Sequence, residues 1–234
     1  MLNSFTGKFP NVLNNFSKIM SVQKGVEAML SEGYAVKLLK SGGIIALPTD
    51  TIYGIACDAT NIGAINKLYS VKCRDENKPL AICLGDIEDV KKWAIVDHLP
   101  CGLLQALLPG PVTLILQTVN KYLDKSLVCC GKVGIRIPNY DFIKSVANGL
   151  GKPLALTSAN LSSQPSSVRI EEFEVLWDKL DGIFDGGHLC TPTISRKGST
   201  IVDLSKKGFY TVVRSGMALE NTCSILDSFQ LTNT

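Results

Sequence analysis

Gly43-Ile44-Ile45-Ala46-Leu47-Pro48-Thr49-Asp50-Thr51-Ile52-Tyr53-Gly54 decides how this chain is read. An apolar run bounded by Gly-Gly and Pro suits a buried strand. The residues after it crowd two threonines, a carboxylate and a phenol into a few positions. Open α/β sheets place their ligands in the crevice beyond strand ends. The segment from Leu47 to Gly54 is therefore read as a functional loop, with a plain hairpin cap as the competing reading.

Working outward, the spacing of Val26, Met29, Leu30, Leu38 and Leu39 predicts a helix from Ser21 to Lys40 that ends at Ser41-Gly42-Gly43. A second helix is expected to start with Thr60 or Asn61 as cap and to carry Ile62, Ile65, Leu68 and Tyr69 on one face. A charged loop from Lys72 to Pro79 then leads to a strand at Leu80 to Leu84. Asp86 can cap a short helix reaching Trp93, and a helix over Leu103 to Leu108 stops at Pro109-Gly110-Pro111. Strand-like runs follow at 112–116, 133–137, 153–156, 182–184, 200–204 and 210–213, with helical stretches at 141–150, 168–180 and 218–229. Such alternation implies an α/β fold: one domain with a twisted mixed sheet flanked by helices.

The composition narrows the function classes. The chain has 234 residues, enough for a sizeable core, with 45% hydrophobic residues and a mean hydropathy of +0.18. A net charge of +3 permits contact with phosphates but falls short of a dedicated nucleic-acid binder. Eight cysteines are scattered without a Cys-x-x-Cys pair, which fits reduced thiols in a cytosolic type of compartment. With two histidines, His98 and His188, neither a histidine zinc site nor a His-assisted nucleophile is supported. No apolar run is long enough to cross a bilayer. Residues 1–20 are rich in Asn and Ser and carry lysines but no arginine, and are read as a flexible segment that resembles a transit peptide only weakly. The expected location is cytoplasmic, with mitochondrial import as the alternative.

Neither G-x-x-x-x-G-K-[ST] nor G-x-G-x-x-G is present. Instead, cations and hydroxyls recur beside expected strand ends: Thr49 and Thr51, Lys72 with Arg74 and Lys78, Thr113, Arg136, Thr157-Ser158-Ala159-Asn160, Ser199-Thr200, and Arg214. A multi-segment anion site is the sharp reading of that set. Taken singly, each member has a bland one. Asp75 and Glu76 would partly neutralise the Lys72 loop, Thr157 to Asn160 could be a turn or helix cap, and alternation would let Arg136 point to solvent between its isoleucines. No carboxylate pair suited to acid–base work is evident, and Cys73, Cys129 and Cys130 lack a partner base.

Taken in order, these segments resemble the YrdC-like family of threonylcarbamoyl-AMP synthases, nearest to its animal members. The likeness spans Val36 to Ala218. It is carried by Leu47 to Gly54, Lys72-x-Arg74 with Lys78-Pro79-Leu80, Leu108-Pro109-Gly110-Pro111-x-Thr113, Gly134-Ile135-Arg136-Ile137-Pro138, Thr157-Ser158-Ala159-Asn160, Gly198-Ser199-Thr200 and Val213-Arg214-x-Gly216. The resemblance implies a YrdC-like catalytic domain over 21–234 with a concave basic surface. It also implies a nucleotidyltransferase that makes threonylcarbamoyl-adenylate and pyrophosphate from ATP, L-threonine and bicarbonate. That adenylate would serve modification of the adenosine beside the anticodon of certain tRNAs. By likeness Thr49, Tyr53, Arg136, Thr157, Ser158 and Ser199 would face threonine. Lys72, Arg74, Asn160, Ser167 and Arg214 would face ATP, with Lys72 and Arg74 acting in catalysis. Magnesium would arrive with the nucleotide, with no structural metal, and contacts with tRNA and the transferase machinery would be transient.

Two residues depart from the family pattern. Asp75 stands where many members have proline, and Cys83 where some microbial members have histidine. The alternative from another class is a non-catalytic module for double-stranded RNA or tRNA. The mild charge and the lack of a basic stripe or aromatic series oppose it.

Overall fold

In the computed structural model, residues 18–22, 26–72, 79–119, 123–161, 164–189 and 196–234 are described. They build one twelve-stranded mixed sheet. Its strands are β1 (Ile19–Ser21), β2 (Ile45–Leu47), β3 (Gly54–Asp58), β4 (Ala81–Cys83), β5 (Val112–Gln117), β6 (Val128–Cys129), β7 (Lys132–Arg136), β8 (Leu154–Ser158), β9 (Gly182–Asp185), β10 (Thr200–Asp203), β11 (Phe209–Arg214) and β12 (Thr232–Asn233). Their order across the sheet is β1-β9-β2-β3-β8-β4-β7-β5-β10-β11-β12, with β6 beside β7. β2 and β3 pair antiparallel around the loop 48–53, and β3 pairs antiparallel with β8. The opening loop is thus both a connection between paired strands and, as shown below, a wall of the site.

The helices are α1 (Val26–Lys40), α2 (Ile62–Lys72), α3 (Val90–Trp93), α4 (Leu103–Leu107), α5 (Asp141–Leu150) and α6 (Leu219–Ser228). Two buried clusters separate along the sheet. In one, Ala35 and Leu39 of α1 and Phe142, Ile143 and Val146 of α5 close over Ile45, Leu47, Ala56, Leu154 and Leu156. In the other, Ile65 and Leu68 of α2 and Leu103 and Leu107 of α4 join Leu114, Leu116, Val133, Ile135 and Val202.

The structure moves several expected boundaries. Ser21 belongs to β1, which runs parallel to β9, so the first helix starts at Val26. Asn61 caps α2 by accepting from the Ala64 amide at 3.1 Å. Ile62 is exposed, whereas Ile65, Leu68 and Tyr69 are buried. The helix expected over 168–180 is a 3-10 segment, Ile170–Lys179, broken at Phe173. Strand β3 escaped the sequence reading because all five of its residues are buried and no alternation marks it. The short strands β1, β6 and β12 carry too few residues for a period to show.

Candidate functional site

A cleft of about 560 Å³ opens along the face of β4, β7, β5 and β10. Leu156 belongs to the cluster under α5 and also lines the cleft. The site is therefore the part of that sheet face that the helix layer leaves bare. Alternation along β7 puts Lys132, Gly134 and Arg136 on the cleft side, with Val133 and Ile135 in the core behind. On the neighbouring strands the cleft side carries Thr113 and Ile115, then Ser199, Ile201 and Asp203.

Arg136 anchors one end. It is buried rather than pointing to solvent, which corrects the alternation reading: its face is polar, but the loop 49–51 covers it. Its Nη2 donates to Asp50 Oδ1 at 2.6 Å, to Thr51 Oγ1 at 2.8 Å and to Thr49 Oγ1 at 3.4 Å. The other Asp50 oxygen accepts from the Asn139 amide at 2.9 Å. Asp50, which the sequence left without a role, thus fixes the guanidinium and the turn after β7. Among the described residues the Arg136 Nε is buried without a hydrogen-bond partner. A buried donor left unpaired costs about 1–3 kcal/mol, and Arg136 also lines the cleft, where its guanidinium can meet an anionic ligand. The Thr49 hydroxyl donates to Ile52 O at 2.7 Å and accepts from the Thr51 amide at 3.2 Å, so it sets the shape of its loop as well as lining the cleft.

At the end of β8, Thr157 and Ser158 line the cleft. Lys72 does not lie in a loop as expected: it is the last residue of α2 and is 2% exposed. Its ammonium donates to Ser158 O at 2.6 Å, to Asn160 O, and to Asn160 Oδ1 at 3.2 Å. The Asn160 amide nitrogen donates to Gln164 O at 2.6 Å, and Ser167 Oγ to Ala159 O at 2.6 Å. Lys72, Asn160 and Ser167 therefore form a bracket behind the strand end rather than part of the cleft wall. Arg74, Lys78, Asp75 and Cys73 lie outside the described residues. Tyr53 borders the cleft, but its hydroxyl sits 2.8 Å from Gly187 O and accepts from the Gly186 amide at 2.9 Å. Burial, with Asp185 adding to it, raises that phenol well above its ordinary pKa, so it stays neutral. Cys83 is fully buried, and burial pushes its thiol up to about 12.

Ser199 joins two strands at the third corner. Its hydroxyl lies 2.8 Å from Thr113 Oγ1, and Arg214 Nη2 donates to Ser199 O at 2.8 Å and Oγ at 3.1 Å. The pairing of β10 and β11 slips between Ile201 and Val202, so that Arg214 comes opposite Ile201, whose side chain lines the cleft. A slip of this kind re-aims side chains near a site. Gly216 permits the close approach: a Cβ there would collide with the main chain of Ser199 and Thr200. Gly216→Ala is expected to lower stability by about 1–3 kcal/mol through overpacking against backbone that cannot swing aside. Thermal unfolding checks it, and an unchanged midpoint would mean that the two segments are not packed as described.

The cleft thus gathers Thr49, Tyr53, Arg136, Thr157, Ser158, Ser199 and Arg214, and leaves Lys72, Asn160 and Ser167 behind it. Sequence reasoning missed the pair of Lys132 and Asp203, 2.8 Å apart at the far end of the same floor. Period-two spacing from Arg136 and from Ser199 was the signal that would have found both.

Comparisons with known proteins show the family. The Sua5/YciO/YrdC family profile, described as "Telomere recombination", matches residues 37–216. A threonylcarbamoyl-AMP synthase from cattle is 48% identical over 84% of this chain and 72% of its own length. The human protein of the same name is 47% identical over 82% of this chain and 69% of its own. The crystal structure of P. abyssi Sua5 complexed with L-threonine shares the fold, with a TM-score of 0.80 at 24% identity, covering 92% of this chain and 62% of that one. The chain belongs to the Sua5/YciO/YrdC family.

Proposed function

We propose that this chain is a threonylcarbamoyl-AMP synthase, converting ATP, L-threonine and bicarbonate into threonylcarbamoyl-adenylate and pyrophosphate. The observation that carries the reading is the buried guanidinium of Arg136, whose Nε has no hydrogen-bond partner among the described residues, in a cleft also lined by hydroxyls from four other segments. The animal relatives at 47–48% identity bear the name of this reaction.

The residues suit the chemistry. Threonine's amine attacks the carbon of bicarbonate or carbon dioxide to give a carbamate, and a carbamate oxygen attacks the α-phosphorus as pyrophosphate leaves. No enzyme nucleophile is needed; the demand is to hold anions together and to offset their repulsion. Arg136 would take the threonine carboxylate, with Thr49, Ser199 and the end of β8 around the rest of the amino acid. Arg214 would face the phosphates, and Lys72 and Asn160 would act on them by fixing the carbonyls and hydroxyl at the end of β8. Arg74 is assigned to ATP by likeness to the family. Magnesium would enter as the nucleotide's own counter-ion, because the one carboxylate among the described cleft-lining residues, Asp203, is tied to Lys132. The adenylate would then pass to a transferase acting on tRNA. A net charge of +3 fits brief contact with either.

Incubation with ATP, labelled bicarbonate and L-threonine should give threonine-dependent pyrophosphate and a labile labelled adenylate. Tight RNA binding with neither product would overturn the reading. Within that assay, Thr49→Ala should raise the KM for threonine by roughly five- to tenfold, the value of one or two lost hydrogen bonds. Arg214→Ala should act on the KM for ATP instead. If Thr49→Ala left the threonine dependence untouched, that assignment would fall.

A further inference from the structure

The turn between β6 and β7 carries adjacent cysteines. Cys129 pairs with Lys132 across this hairpin, so Cys130 and Gly131 are its two loop residues. Both have positive φ, 51° and 74°. That is the pattern of a type I′ turn, in which asparagine, aspartate or glycine normally takes the first position. A side chain other than these in the left-handed region costs roughly 1–2 kcal/mol. Cysteine at 130 thus breaks a local rule in a turn that asparagine would satisfy better, and such breaks cluster at functional positions.

The two sulfurs lie close together on the surface. Cys129 and Cys130 are both exposed, in contrast to the buried Cys57 and Cys83. Cys129 Sγ donates to Cys130 Sγ at 3.8 Å. That hydrogen bond, more than anything else, raises the Cys129 thiol above its ordinary pKa. With Cys129 as donor, the Cys130 sulfur is the acceptor of the pair and the one placed to attack. Both residues line the cleft together with Lys132, the next residue but one after Cys130, whose ammonium bridges to Asp203 across the floor.

We propose that Cys129 and Cys130 form an oxidation-sensitive pair that closes to a vicinal disulfide on reaction with a hydroperoxide and thereby impairs the cleft. The Cys130 thiolate attacks the peroxide, the O–O bond breaks, and a sulfenic acid and a hydroxide or alkoxide result. The Cys129 sulfur then attacks the sulfenic sulfur. The S–S bond forms, and the hydroxyl leaves as water with the Cys129 proton, so that two electrons have passed from the pair to the peroxide. Adjacent Cα atoms lie about 3.8 Å apart, below the usual span of a disulfide, which makes the bond readily reducible and the change reversible. Closing it pulls the two sulfurs together, distorts the type I′ turn, and shifts Lys132 and its bridge to Asp203.

The loss of activity rests on the function proposed above; formation of the disulfide does not. The full-length protein is treated with hydrogen peroxide, the peptide holding residues 129 and 130 is followed by mass spectrometry, and pyrophosphate release is measured before and after a dithiol reductant. Expected are the loss of two hydrogens from that peptide, a roughly fivefold or larger fall in activity, and recovery of both on reduction. Cys130→Asn, which the turn accommodates, and Cys129→Ser should each be insensitive to peroxide when normalised to their own reduced activity. The proposal is overturned if the pair stays reduced, if the disulfide forms without change in activity, or if both variants lose activity as the unsubstituted protein does. Reduced protein that releases no pyrophosphate would refute the function instead, and the mass measurement alone would still accept or reject the disulfide.

Discussion

Arg136→Ala is expected to abolish measurable adenylate formation and to lower stability by about 3–5 kcal/mol, the range found when one partner of a buried ion pair is removed. The two side chains of the Arg136–Asp50 pair are 8% and 9% exposed, so solvent screens little of the interaction. Removing the guanidinium leaves Asp50 as a buried carboxylate with the Asn139 amide as its one remaining donor among the described residues, and takes a donor from Thr51. The two effects can be separated. Arg136→Met combined with Asp50→Asn removes both charges together and should recover most of the stability while remaining inactive, because the group that meets the anion is still missing. Thermal unfolding and pyrophosphate release on the single and double variants test this. A double variant no more stable than Arg136→Ala would show that the pair is not coupled as described, and an active one would remove Arg136 from the site.

Lys72→Met carries the second large effect. Lys72 is fully enclosed, and its ammonium gathers Ser158 O, Asn160 O and Asn160 Oδ1 at the end of β8. Methionine of similar length leaves these acceptors without that donor. Main-chain acceptors stranded in this way cost about 1–3 kcal/mol each, offset in part because an ammonium no longer has to be desolvated. A net loss of roughly 1–3 kcal/mol follows. Because the bracket sets where Ser158 and Thr157 stand, turnover should fall on the order of a hundredfold, the usual result of misplacing a reacting group by about an ångström. Lys72→Arg should not rescue it, since the planar fork does not match carbonyls that converge on a point charge. Unfolding midpoints with kcat and the KM for ATP decide it; normal stability with a raised KM alone would show Lys72 to be a simple surface contact to the nucleotide.

Much of the fold was legible in the chain, and for identifiable reasons. Strands β5, β7, β8, β10 and β11 and helices α4, α5 and α6 sit where apolar runs, Gly-Pro breaks and helical spacing put them. Elements that failed to show had no periodic signature: β3 is buried on both faces. The helix expected from Ser21 gave way to β1, because pairing with β9 outweighs the helical spacing of a few apolar residues.

The site was legible to a different degree. Its residue types, and the expectation that they meet at strand ends, were readable from Thr49, Thr157 and Ser199. Their division into cleft wall and supporting bracket was not. Lys72 and Arg136 are both cations beside strand ends in the sequence. Only packing decides that the first spends its charge on main-chain carbonyls and that the second keeps a buried donor unpaired among the described residues.

By itself, then, the sequence determined an α/β chain with cations and hydroxyls recurring beside its strand ends, because composition and local periodicity are properties of neighbouring residues. The tertiary structure decided that Asp50 serves Arg136, that Lys132 meets Asp203 across β5, and that Gly216 must lack a side chain. Each of these depends on partners far apart in the chain, whose distance is set by strand order and register, which no local pattern encodes.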